Sequence, residues 1–215
     1  MKFIKFFLAV CTIFLLNTSN SFPLIQVDIT RGNLNPLPIA VSPLYVESGS
    51  TEIVQDDKVI KNIGEEISKV IEVNLKRSGL FNPLKKDSFV QKPDIAHIKP
   101  RFEDWRLIKS QALVTGKVSV SDDKLRTEFR LWDVVAAKEM VALAFSTTPN
   151  NWRRVAHIIS DKIYQRLTGE EGYFDTRIVY VSETGPKTQR YKKLAIMDQD
   201  GANVKYLTLG NELVL

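Results

Sequence analysis

Two segments of this 215-residue chain carry their apolar residues at helical spacing, and the strongest strand signals lie between them. Ile60, Ile63, Ile67, Val70, Ile71 and Leu75 recur at intervals near 3.6, with Glu65, Glu66, Lys69, Lys76 and Arg77 on the other faces. Asp56 and Asp57 near the start and the basic pair near the end suit the helix dipole. Gly79, just beyond, supplies a left-handed C-cap because it carries no Cβ. The second stripe is Trp152, Val155, Ala156, Ile159, Ile163 and Leu167, over about residues 151–167, with Asn150 as N-cap and Gly169 as terminator. Between the helices, residues 113–120, 125–133 and 140–148 read as a three-stranded antiparallel meander. Burying both stripes on one face of a sheet gives a two-layer α+β domain with a mixed or antiparallel sheet and two helices.

That domain is expected over residues 22–170, a normal length for a single core. Leu24, Ile25, Val27 and Ile29 form a short strand-like run, ended by the breaker cluster Arg31-Gly32-Asn33-Leu34-Asn35-Pro36. Pro38-Ile39-Ala40-Val41 is a second short strand, closed by Ser42-Pro43, and Phe81-Asn82-Pro83-Leu84 returns the chain toward the core. Residues 85–100 read as loop, and Phe102, Trp105, Leu107 and Ile108 as one helical turn. After Gly172 the texture changes to short strands separated by polar turns: residues 177–181, 194–197 and 204–208, with Asp198-Gln199-Asp200-Gly201 between the last two. This pattern fits part of one four-stranded propeller blade, a unit of about 40–45 residues, so residues 171–215 are expected to be a first, incomplete blade of a truncated propeller.

The N-terminus points to export. Lys2 and Lys5 precede an apolar run over residues 6–16, which gives way to Asn17-Thr18-Ser19-Asn20-Ser21. This is the layout of a secretory signal peptide over residues 1–21, with Ser19 and Ser21 at the −3 and −1 places if cleavage falls between Ser21 and Phe22. The run is shorter than the roughly 18 apolar residues a spanning helix needs, so the mature chain is not expected to span a membrane. Cys11, the only cysteine, lies inside that run, which continues through Leu16 rather than ending as a lipoprotein box would. The mature domain must therefore hold together without disulfides. Lys+Arg 30 against Asp+Glu 25 gives +5, and losing Lys2 and Lys5 leaves +3. The basic pairs Lys85-Lys86, Arg153-Arg154 and Lys192-Lys193 are scattered and read as solvated, which argues against nucleic acid as a partner.

No catalytic constellation assembles. His157, Ser160 and Asp161 share one helix and cannot converge on one carbonyl, so His157 reads as a flank of the apolar stripe. Neither His97 nor His157 has metal-ligand spacing to a partner. Asp198-Gln199-Asp200-Gly201 lacks the further ligands of a calcium loop, because Leu209 stands at its twelfth position, and it reads as a hairpin turn. The pairs Glu65-Glu66 and Asp122-Asp123 read as solvated. The expectation is a binding protein, with no catalytic residue, metal or cofactor.

Several segments in order resemble the TolB family. They are Leu75-Lys76-Arg77-Ser78-Gly79-Leu80-Phe81-Asn82-Pro83-Leu84, Val114-Thr115-Gly116-Lys117-Val118, Leu167-Thr168-Gly169 and Gly172-Tyr173-Phe174-Asp175-Thr176-Arg177-Ile178-Val179-Tyr180-Val181. The resemblance implies an N-terminal α/β domain, a propeller, and a periplasmic scaffold of the Tol–Pal system. Such a scaffold supports outer-membrane integrity and envelope constriction during division. It further implies that the mature N-terminus, residues 22–32 here, binds the C-terminal domain of TolA. The residues concerned are Phe22, Leu24, Ile25, Val27, Asp28 and Ile29. An extended segment of this kind suits addition to a partner's sheet edge. Pal is the second partner implied for the full-length family, chiefly through the propeller, most of which these 215 residues do not include. Two other readings stay open from the residues alone: the front part of an exported propeller-bearing hydrolase, and a periplasmic adaptor outside the Tol system.

Overall fold

The computed structural model describes Ile25 and residues 35–48, 52–55, 58–121 and 123–210. The expected strand at Leu24, Val27 and Ile29 therefore lies outside the described residues, as do Asp56 and Asp57.

A mixed six-stranded sheet forms the body. β1 (Leu37–Val41) lies between β5 (Phe81–Pro83) and β6 (Ala112–Ser121) and is parallel to both, with Leu37 opposite Phe81 and Val41 opposite Val114. The chain breaks at Ser42-Pro43-Leu44 and resumes as β2 (Tyr45–Ser48), which runs along the same neighbour with Tyr45 opposite Lys117. β7 (Lys124–Asp133) and β8 (Lys138–Thr147) complete the antiparallel meander read from the sequence, and β8 is an edge.

Two long helices lie against this sheet: α1 (Ile63–Arg77), and α4 (Trp152–Thr168), numbered for the two short helices between them. Ile63, Ile67, Ile71 and Leu75 of α1 and Ile159, Ile163 and Leu167 of α4 are fully buried in one core with Ile39, Val114, Leu125 and Leu131 of the sheet. Both C-caps are as the sequence implies. Gly79 (φ 75) donates to Lys76 O and Gly169 (φ 84) to Gln165 O, left-handed conformations that glycine adopts without Cβ strain.

Three expectations need correction. Ile60 does not open α1; it ends β4 (Lys58–Ile60), which pairs with β3 (Ile53–Gln55) in a small hairpin. The break is Asn62, left-handed at φ 53, whose carbonyl accepts from Glu65 and Glu66 and so starts the helix. Asn150 is not an N-cap. It sits in a single 3-10 turn, Pro149–Asn151, and the following Asn151 turns its amide back to Thr147 and Thr148. Finally, the layer count is larger at one end of the sheet. Residues 85–100 contain α2 (Pro93–Ala96), followed by α3 (Phe102–Leu107), and these cover the opposite face through Ala96 and Trp105, packed on Ala40, Leu113 and Val134. Because successive strand residues face opposite ways, Ala40 and Leu113 belong to that second cluster while Ile39 and Val114 belong to the first.

After α4, β9 (Arg177–Thr184), β10 (Tyr191–Asp198) and β11 (Lys205–Tyr206) form a separate antiparallel sheet in the order β11-β10-β9. Among the described residues, no helix is long and apolar enough to cross a membrane.

Candidate functional site: a helix–turn junction and an N-terminal groove

The β10–β11 turn does more than reverse the chain. Gly201 at φ 83 folds it tightly, with its amide on Asp198 O, and this presents Gln199 and Asp200 to the two long helices. Arg77, at the end of α1, donates to Gln199 Oε1 at 2.7 Å and to its backbone oxygen at 3.1 Å. Gln199 Nε2 donates to Asn74 Oδ1 at 3.0 Å. Asn74 is fully buried; its Nδ2 lies 3.1 Å from Ser160 Oγ and 2.9 Å from His157 Nδ1, both on α4. One turn earlier on α4, Arg153 Nε donates to Asp200 Oδ2 at 2.9 Å.

A second tie runs from the connection before β9. Asp161 of α4 accepts the amides of Phe174 at 2.7 Å and Asp175 at 3.0 Å. Burial raises its pKa, and those two amides only partly offset the rise. Asp175 in turn pairs with Arg154 at 3.1 Å. The pair Arg153-Arg154, expected to be solvated, thus holds the second sheet to the helix.

His157 is 2% exposed rather than flanking the stripe, and its Nε2 points toward Asp200 Oδ2 at 3.6 Å. Burial lowers the His157 pKa first of all; Arg153 adds to this, and Asp200, Asp198 and Asp175 oppose it. For Asp200, burial pushes upward, but the Arg153 hydrogen bond, the Ala202 amide and the charges of Arg153 and His157 outweigh it and leave the pKa lowered. His157 is no catalytic base for Ser160, because Ser160 Oγ is spent on Ala156 O at 2.8 Å and on Asn74. His157, Asp198 and Asp200 do bring one donor atom each within 4.8 Å of one another. They suit a cation poorly: Arg153 occupies Asp200 Oδ2, Asn203 Nδ2 occupies Asp198 Oδ2, and Arg177 lies 3.8 Å from Asp198. Sequence reading passed over Asn74. Its signal was a polar residue seven places after Ile67, on the same helical face as the apolar stripe.

Of the proposed partner-binding residues, Ile25 is described. Its side chain is half-buried against the main core, and its amide donates to Asp133 Oδ2 at 3.2 Å. It lines a groove of about 480 Å³ between Val141 and Leu143 of β8 and Lys162, Gln165 and Arg166 of α4. Ser21, Phe22, Leu24, Val27, Asp28 and Ile29 lie outside the described residues.

Fold and site together define an α+β domain whose two long helices clamp the β10–β11 turn of an appended antiparallel sheet. The model of the TolB amino-terminal domain matches residues 25–140. The Tol-Pal system protein TolB of Pelagibacter ubique (strain HTCC1062) is 68% identical over 203 residues, covering 94% of this chain and 46% of that protein. The crystal structure of TolB from Acinetobacter baumannii superposes with a TM-score of 0.64 at 25% identity, over 81% of this chain and 39% of that one. The chain belongs to the TolB family. It spans about half the length of the curated relative it matches.

Proposed function

We propose that this chain is an exported, non-enzymatic scaffold of the Tol–Pal system, acting in the periplasm to support outer-membrane integrity and envelope constriction during division. The observation that carries this reading is its 68% identity to a protein named for that system. In this reading residues 1–21 are a signal peptide cleaved between Ser21 and Phe22, residues 22–170 the N-terminal domain, and residues 171–215 a first, incomplete propeller blade. The antiparallel order β11-β10-β9 supports the last assignment.

The proposed partner is the C-terminal domain of TolA, met by residues 22–32. The position of Ile25 supports this: it belongs to no strand and sits at a groove beside an edge strand, anchored by packing and a carboxylate. An apolar residue held in that way can exchange its intramolecular groove for a partner's sheet edge at modest cost. Pal, the second partner that the family resemblance implies, is assigned chiefly to the propeller. No cofactor or metal enters this role.

A synthetic peptide covering residues 22–34 tests the contact. It is expected to bind the cognate TolA C-terminal domain, and replacing Leu24, Val27 and Ile29 with Asp is expected to abolish binding. Equal binding by the Asp-substituted peptide would contradict the proposal.

A further inference from the structure

The polar network at the junction fixes the proton on His157 by elimination. Arg77 has only donors, so Gln199 Oε1 is the acceptor and Gln199 Nε2 must donate to Asn74 Oδ1. Asn74 Nδ2 is then a donor on its other side. Ser160 can receive it, because the Ser160 hydroxyl proton goes to Ala156 O. His157 Nδ1, 2.9 Å from the same Nδ2, must be an unprotonated acceptor. The ring proton therefore sits on Nε2, facing Asp200.

This arrangement admits neutral histidine alone. Adding a proton to Nδ1 sets an N–H against the N–H of Asn74, at a histidine that is 2% exposed. Relief requires Asn74 to turn, and turning presents its Nδ2 to Gln199 Nε2, so the conflict passes outward to the β10–β11 turn. The groups around the ring do not cancel this effect. Asp200 and Asp198 from the turn, Asp175 from the connection and Asp161 from α4 favour a cation at Nε2, while Arg153 on α4 opposes it. Arg154 and Arg177, which line the same cleft, add positive charge beside it. None of these groups touches Nδ1, where the conflict arises.

We propose that His157 is a proton-sensitive pin that holds the β10–β11 turn to helices α1 and α4 when neutral and releases it when charged. The junction then closes above the ordinary histidine range and loosens as pH falls through it. This goes beyond the proposed role and does not depend on the identity of any partner.

The two histidines give a direct test in the intact chain. Nitrogen-15 spectra are expected to show His157 with a bare Nδ1. His97, whose Nδ1 lies 2.9 Å from the carbonyl of Pro93, must carry its proton there and serves as the internal contrast. With an open-state pKa near 6.5, amide exchange in residues 199–203, corrected for intrinsic rate, should rise about tenfold between pH 7.5 and 5.5. His157→Asn keeps an acceptor for Asn74 and cannot titrate, so its exchange should stay flat over that range. A protonated Nδ1 on His157 at pH 7.5, or an equal rise in His157→Asn, would overturn the proposal.

Discussion

Gly64 sits in the first turn of α1, where alanine is ordinarily preferred by about 1 kcal/mol. Here a Cβ would lie 2.1 Å from the carbonyl oxygen of Leu44, backbone that cannot swing aside. The same contact is used productively: Leu44 N–H donates to Gly64 O at 3.2 Å and to Ser68 Oγ at 3.0 Å, and Ser68 donates in turn. The helix is thereby fastened to the connection between β1 and β2. Gly64→Ala is expected to lower stability by about 1–3 kcal/mol, the range for overpacking, despite its better helix propensity. Urea denaturation checks this, and a stabilised variant would show that the connection moves freely. Neither Gly64 nor Asn74 was legible as special in the sequence. Close approach and polar satisfaction are properties of the partner surface, which only the fold supplies.

The elements themselves were more readable. Period-two runs around turn residues located β6, β7 and β8, and the 3.6 stripe with Gly169 located α4, because each signal is local. The boundary at residue 60 was misread since Ile60 and Ile63 keep helical spacing whether or not a strand ends between them, and only the left-handed Asn62 separates them. The turn after β10 was recognised as a turn, but its attachment to α1 and α4 was not, because Gln199 and Asp200 lie more than forty residues from any partner on the helices. That attachment has a measurable energy. Arg153 is part-exposed and Asp200 nearly buried, so a double-mutant cycle of Arg153→Ala and Asp200→Asn should give a coupling of about 1.5–3 kcal/mol, as for hydrogen bonds to charged groups. Because the Asp200 pKa is lowered on folding, this contribution is complete above the ordinary carboxylate value of 3.8 and disappears as pH falls through the lowered one. The coupling should therefore be the same at pH 7.5 and 5.5, which separates it from the His157 response. A coupling near zero would mean that the ion pair is solvent-screened.

At the scale of the whole molecule, the α/β body and the β9–β11 sheet are joined through Asp161 and Arg154 to the connection, Arg153 to the turn, and the Arg77–Gln199–Asn74 chain. Ile25 lines a groove between β8 and α4. The fold class was readable from patterning and the family from its ordered motifs, whereas the role of residues 22–32 came from the resemblance alone. That role is the central claim, and calorimetry of the chain against the cognate TolA C-terminal domain tests it most directly. The chain beginning at Phe22 is predicted to bind, and the chain beginning at Asn35 to bind at least about tenfold more weakly, a loss of roughly 1.4 kcal/mol or more. Equal affinity of the two, or no binding by the longer one, would contradict the account.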